Sequence, residues 1–159
     1  LLSAEKAEQG KGKTRMTDKF VVGFDGSEAA QRALDFALER ASAQGATVII
    51  AHVLEWSPYS FLTPTEIEER HKRRTEELDR AEKSLIAPAK AAVEGRGVPV
   101  ETVLRYGHIA DTLCDVAKKQ NAAQLFIGRN GHSPFGSRVF GSVAGSLVQT
   151  APVPCTIVP

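Results

Sequence analysis

The chain has 159 residues, 42% of them hydrophobic and 25% charged, ordinary values for one globular domain with a real core. Its formal net charge of +1 excludes the strong bulk field that draws a chain to nucleic acid or to a membrane surface. Its only two cysteines, Cys114 and Cys155, are far apart in sequence and form no CxxC pair, so they read as buried free thiols in a reducing cytoplasm and not as a zinc or redox motif.

No apolar run approaches the roughly 18–20 residues that span a bilayer. Residues 1–15, LLSAEKAEQGKGKTR, are too polar for a secretory signal and read as a disordered arm. Met16 stands directly before the first strand and reads as the natural start, with the arm an addition to it. Residues 16–159 are expected to form a single domain.

The first element is FVVGFDGS, an apolar strand closed by an Asp-Gly-Ser turn. Ser27 suits a helix N-cap and Glu28 a first turn. The helix that follows places Ala30, Ala33, Leu34, Ala37, Leu38 and Ala41 on one face, with Gly45 as its C-terminal stop. TVIIAHVLEW is almost continuously apolar, the mark of a central parallel strand covered on both sides. Thr63, Pro64 and Glu66 make an N-cap, a first-turn proline and a capping-box partner for a long helix to about Glu94. Residues 66–83 carry seven acids and six bases, the composition of a solvated helix face. Leu78, Ala81, Leu85, Ala89, Ala92 and Val93 form a narrow apolar stripe in its second half, with Pro88 a candidate kink.

VPVETVLRYG reads as a third strand and HIADTLCDVAKKQN as a helix with Ile109, Leu113, Val116 and Ala117 inward. AQLFIG is a fourth strand. A helix with Val143, Ala144, Leu147, Val148 and Ala151 inward follows, and PCTIVP is a fifth strand. The alternation of strand and helix predicts an α/β fold, a Rossmann-like open parallel sheet with helices on both faces.

In such a sheet, ligands bind beyond the carboxyl ends of the strands. That rule selects the Asp25-Gly26-Ser27 turn, the end of the second strand near Val53, and the stretch GRNGHSPFGSRVFGS from Gly128 to Ser142. A phosphate cradle needs main-chain N–H groups converging on one point, which glycines permit and a helix N-terminus completes. Composition alone leaves a cradle and a plain connecting loop both open. The GxxxxGK[ST] and GxGxxG patterns are absent, because Ser142 stands where the first requires lysine. No HExxH or other metal spacing occurs.

Gly128 and Gly131 are followed, after nine residues, by Gly141-Ser142. This spacing resembles the G-2x-G-9x-G-(S/T) signature of the ATP-binding universal stress proteins. VVGFDGSEAAQRAL, VIIAHV, HIADTLCDVAKKQNAAQLFIG and SLVQTAPVPCTIVP resemble further segments of that family, so that the likeness runs from about Phe20 to Pro159. The resemblance implies a five-stranded sheet of order 3-2-1-4-5 and a homodimer paired through the last strands. It implies ATP as ligand, with Asp25 and the Val53 main chain against the adenosine, and Gly128, Gly131, Gly141, Ser142 and Val143 around ribose and phosphates. Mg²⁺ would enter only with the nucleotide, with Asp25 its candidate contact. Arg129, His132 and Arg138 are further phosphate candidates.

The chain departs from the family in Arg129 and Asn130 between the first two glycines, and in Pro134 and Gly136 within the spacer. A looser spacer points to AMP or cyclic AMP as the alternative ligand. Hydrolysis needs a group that orients water and a firm γ-phosphate clamp, and neither is evident. A nucleotide-binding sensor is therefore expected, with at most slow hydrolysis or self-phosphorylation on Ser133, Ser137 or Ser142. His52 reads as a hydrogen-bonded core histidine.

Overall fold

The computed structural model describes residues 16–55, 63–131 and 141–159. His132, Ser133, Pro134, Gly136, Ser137 and Arg138 lie outside the described residues, as does the arm 1–15.

Strands β1 (Lys19–Gly23), β2 (Thr47–Glu55), β3 (Val100–Gly107), β4 (Gln124–Gly128) and β5 (Cys155–Val158) form one parallel sheet of order β3-β2-β1-β4-β5. Register runs Val21 opposite Ile49 and Leu125, and Leu125 opposite Cys155. The central strands alternate between two cores, because successive side chains point to opposite faces. Phe20, Val22, Val48, Ile50 and Phe126 pack on one side, and Val21, Ile49, Ala51, Val53, Leu125 and Ile127 on the other.

Helix α1 (Glu28–Gln44) covers the first side and buries all six residues expected of it, together with Ala29. Its ends are closed as its sequence indicates. The Ser27 hydroxyl accepts from the Ala30 N–H at 3.1 Å, and Gly45 takes a left-handed conformation at φ 69°. Helices α4 (Ile109–Lys119) and α5 (Ser142–Thr150) cover the opposite side through Leu113, Val116, Ala117, Ala144 and Leu147.

The long helix forms as α2 (Pro64–Ala81), a wider π turn over Glu82–Ile86, and α3 (Ala87–Val93). Pro88 has no N–H, and its ring crowds the carbonyl four residues back. The chain absorbs this one turn early, where the Ala87 N–H reaches back five residues to the Glu82 carbonyl. Ala81, Ala89 and Val93 are buried as expected, and the extra residue brings Ile86 into the core where Leu85 was expected, leaving Leu85 half-buried. Ile86 is thus fully buried, and Ala92, expected inward, is exposed.

Two other burial expectations are corrected. Val148 is 66% exposed, because α5 meets the sheet through Ala144 and Leu147 and Val148 stands on the outer flank of that stripe, about 40° beyond Ala144 and about 100° from Leu147. Cys155 is only half-buried, since β5 is an edge strand with β4 as its sole partner in the sheet. Both thiols are free, and burial together with neighbouring Cys114 pushes the Cys155 thiol up, away from the reactive thiolate.

Among the described residues, no helix is long and apolar enough to cross a membrane.

Candidate functional site

The sheet order reverses between β1 and β4. From β1 the chain turns to α1 on one face, and from β4 it leads to α5 on the other. The two connections diverge and open a cleft at the carboxyl ends of the strands. A cavity of about 420 Å³ lies there, within the usual range for a small-molecule site.

Eight of the ten nucleotide-contact candidates singled out in the sequence line this cavity: Asp25, Val53, Gly128, Arg129, Gly131, Gly141, Ser142 and Val143. The other two, His132 and Arg138, lie outside the described residues.

Local chemistry explains how each is placed. Gly26 adopts φ 80°, the conformation that turns the chain sharply after Asp25. The Asp25 carboxylate oxygen Oδ1 accepts from the Ser27 N–H at 2.9 Å and so braces the same turn. The other carboxylate oxygen faces the glycine loop, where a Cβ built on Gly131 would come within 2.8 Å of it.

Gly128 answers to a different neighbour. A Cβ there would lie 2.7 Å from the Ala29 main-chain carbon, so that glycine lets the first turn of α1 sit directly on the end of β4. Arg129 is exposed, and its main chain ties the loop to its surroundings. Its N–H donates to the Val158 carbonyl at 2.7 Å, and its carbonyl accepts from the Gly141 N–H at 3.2 Å.

Helix α5 then starts at Ser142 with Gly141 as N-cap and no side-chain cap. Its first-turn N–H groups and the positive end of its dipole face the cavity between Gly141 and Ala144. That arrangement suits an anion.

The opposite end of the cavity is formed by β2, with Val53 buried in the floor and Glu55 exposed at the rim. Ile109 and Leu113 of α4 and Ile127 of β4 complete an apolar floor. His52 donates through Nδ1 to the Phe24 carbonyl at 2.7 Å, as a structural histidine would, yet it is half-buried and touches the cavity.

The sequence reading passed over Glu55, Ile109 and Leu113 as site residues. The strand period carried the signal for Glu55, which lies two places beyond Val53 and on the same face. Ile109 and Leu113 read only as an inward stripe, and nothing in a stripe says where its upper end meets a cleft. Among the described residues, no group of three or more His, Cys, Asp or Glu side chains is arranged to hold a metal ion.

A doubly wound α/β protein with a glycine-lined cleft at its switch point is the class that fold and site define. Residues 16–159 match the model of the universal stress protein family. A curated universal stress protein from Thermus aquaticus is 34% identical over 144 residues, covering 90% of this chain and 99% of its own. The chain belongs to the universal stress protein family.

Solved structures share the fold. A universal stress protein from Lactobacillus plantarum superposes with a TM-score of 0.74 at 21% identity, covering 89% of this chain and 97% of that one. Another, solved in complex with cAMP, gives a TM-score of 0.64 at 24% identity and covers 89% and 97%. A family member from Arabidopsis thaliana with AMP bound gives 0.59 at 19% identity and covers 89% and 90%.

Proposed function

We propose that this protein is a cytoplasmic ATP-binding regulator of a stress response, with residues 16–159 as one nucleotide-binding domain. It acts by a difference in affinity between two conformations or two partners, and not by turnover. The observation that carries this reading is the meeting of Asp25, Val53, the glycine loop and the side-chain-uncapped start of α5 in one cavity.

In this reading Asp25 and the Val53 main chain hold the adenosine. Gly128, Gly131, Gly141, Ser142 and Val143 surround ribose and phosphates, with Arg129 and His132 as further contacts. Mg²⁺ arrives with the nucleotide. It asks for a carboxylate or two in addition to phosphate oxygens and water, and Asp25 is a carboxylate at the cavity wall. Hydrolysis is at most slow, since Ser142 stands where a phosphate-clamping lysine would be needed to hold the γ-phosphate. A second reading, AMP or cyclic AMP as ligand, is favoured by the two solved relatives that carry those nucleotides.

A homodimer through β5 belongs to the same proposal. All four residues of β5 are half-buried, the strand is an edge, and Val148 stands exposed on α5. An apolar edge of this kind is covered in most native proteins.

Calorimetric titration of nucleotide-stripped protein with ATP and Mg²⁺, AMP and cyclic AMP tests the assignment, with the nucleotide recovered by chromatography. ATP bound and returned intact is the expected result, abolished in Gly131→Val with the fold kept. Preference for AMP or cyclic AMP moves the assignment to the second reading, ADP recovered makes the protein an enzyme, and no binding overturns the site. Light scattering at tens of micromolar is expected to show a dimer that dissociates when β5 is truncated.

A further inference from the structure

The second strand holds the turn that carries Asp25. Strand β1 ends at Gly23, opposite Ala51 of β2. Both main-chain groups of the next residue still bond to β2. The Phe24 N–H donates to the Ala51 carbonyl at 2.8 Å, as a ladder residue would. Its carbonyl accepts from a side chain, the Nδ1–H of His52, at 2.7 Å. A carbonyl is an acceptor only, so Nδ1 carries the hydrogen whether the ring is neutral or protonated. The Phe24 carbonyl and the Asp25 N–H belong to one peptide, and a planar peptide moves as a unit. His52 therefore sets the plane from which Asp25 departs. Beyond it Gly26 turns at φ 80°, and the Asp25 Oδ1 atom accepts from the Ser27 N–H at 2.9 Å. The other carboxylate oxygen faces Gly131, where an added Cβ would come within 2.8 Å of it.

Resting on the nucleotide reading of this cavity, we infer that His52 is a positioning residue for nucleotide binding, acting through the Phe24 carbonyl to hold the Asp25 carboxylate against the glycine loop. Two observations separate this role from core filling. His52 is half-buried and lines the cavity, whereas its neighbours Ala51 and Val53 are buried apolar residues. Its bond closes on the residue directly before Asp25. Loss of that donor releases the turn at its β1 end, and the Ser27 brace holds only the end at α1. A binding group keeps its geometry only where its supporting contacts fix it.

Calorimetric titration of nucleotide-stripped protein with ATP and Mg²⁺ tests the role. His52→Ala removes the donor and is expected to weaken ATP about five- to tenfold, the size of one neutral hydrogen bond. His52→Asn places an amide N–H as many bonds from the main chain as Nδ1, and is expected to stay within about twofold of wild type. His52→Gln holds its amide one bond further out and is expected to behave as His52→Ala. Asp25→Asn keeps an acceptor for the Ser27 N–H without the charge. In that background His52→Ala is expected to change affinity by less than about twofold, because the two residues act as a unit. Full ATP affinity in His52→Ala, equal losses in His52→Asn and His52→Ala, or additive losses in the double variant overturn the role of His52 and leave the nucleotide reading standing. Should His52→Ala fail to fold, His52→Asn against His52→Gln decides, and equal affinities overturn the role. Failure of the wild type to bind ATP overturns both.

Discussion

Helices α1 and α2 begin alike and end in opposite environments. Each has a hydroxyl N-cap, Ser27 or Thr63, and the two are nearly equal in length, 17 and 18 residues. Helix α1 buries seven residues and α2 buries one, Ala81. The difference lies in what each has beneath it. Helix α1 lies across the middle of the sheet, with its first turn seated on Gly128.

The run from α2 through α3 is longer than its support. At 1.5 Å per residue it extends roughly 45 Å, while the eight residues of β3 extend roughly 26 Å. Its first turns therefore stand clear of the sheet. Tyr106, near the end of β3, fastens the later turns of α2. Its hydroxyl donates to Glu77, and the Arg74 guanidinium lies 5.4 Å from its ring centre. Burial, and then the Glu77 bond, push the Tyr106 hydroxyl up to about 12. Local signals start a helix, and the sheet decides how much of it is buried.

This contrast can be broken in order of size. Leu34→Ala in α1 and Ile86→Ala in the π turn, both fully buried, should each cost about 2–5 kcal/mol in urea unfolding, whereas Arg73→Ala on exposed α2 should stay within about 0.5 kcal/mol. Equal effects at all three would mean that α2 has a packed face the structure does not show.

Gly128→Ala should cost about 1–3 kcal/mol by pushing the first turn of α1 off β4, and a wild-type midpoint would contradict that close approach. Thr63→Ala removes the cap of α2 and should cost roughly 1 kcal/mol or less, read as faster amide exchange confined to its first turns.

The smallest effect is one of pH. The Thr63 N–H, and then its hydroxyl, hold the Glu66 carboxyl below its ordinary range. The capping bond is therefore fully present above the ordinary carboxylate value and is lost as pH falls through the lowered one. A small decline in helicity over that acid window, absent in Glu66→Gln, is the expected reading by circular dichroism.

The legibility of the site followed the kind of signal. The glycines at 128, 131 and 141 and the Asp25 turn were visible because the absence of a Cβ and turn chemistry are written in residue type, although none of the three loop glycines takes a positive φ. Gly128 shows the limit of that visibility. Spacing assigned it to a phosphate loop, and the structure gives it a packing role against Ala29 as well. Ile109, Leu113 and Glu55 were read as ordinary helix and strand positions, since their part in a cavity exists only once α4 stands beside β2.

The sequence by itself determined the strand-helix alternation, the buried face of α1 and the caps at Ser27 and Thr63, because period and capping are properties of neighbours along the chain. Strand order was available to it only through likeness to a family. Tertiary structure decided the rest. It left Val148 and half of Cys155 outside, and brought three distant strand ends to one cleft. Each of these depends on contacts between residues remote in sequence, whose geometry no local pattern encodes.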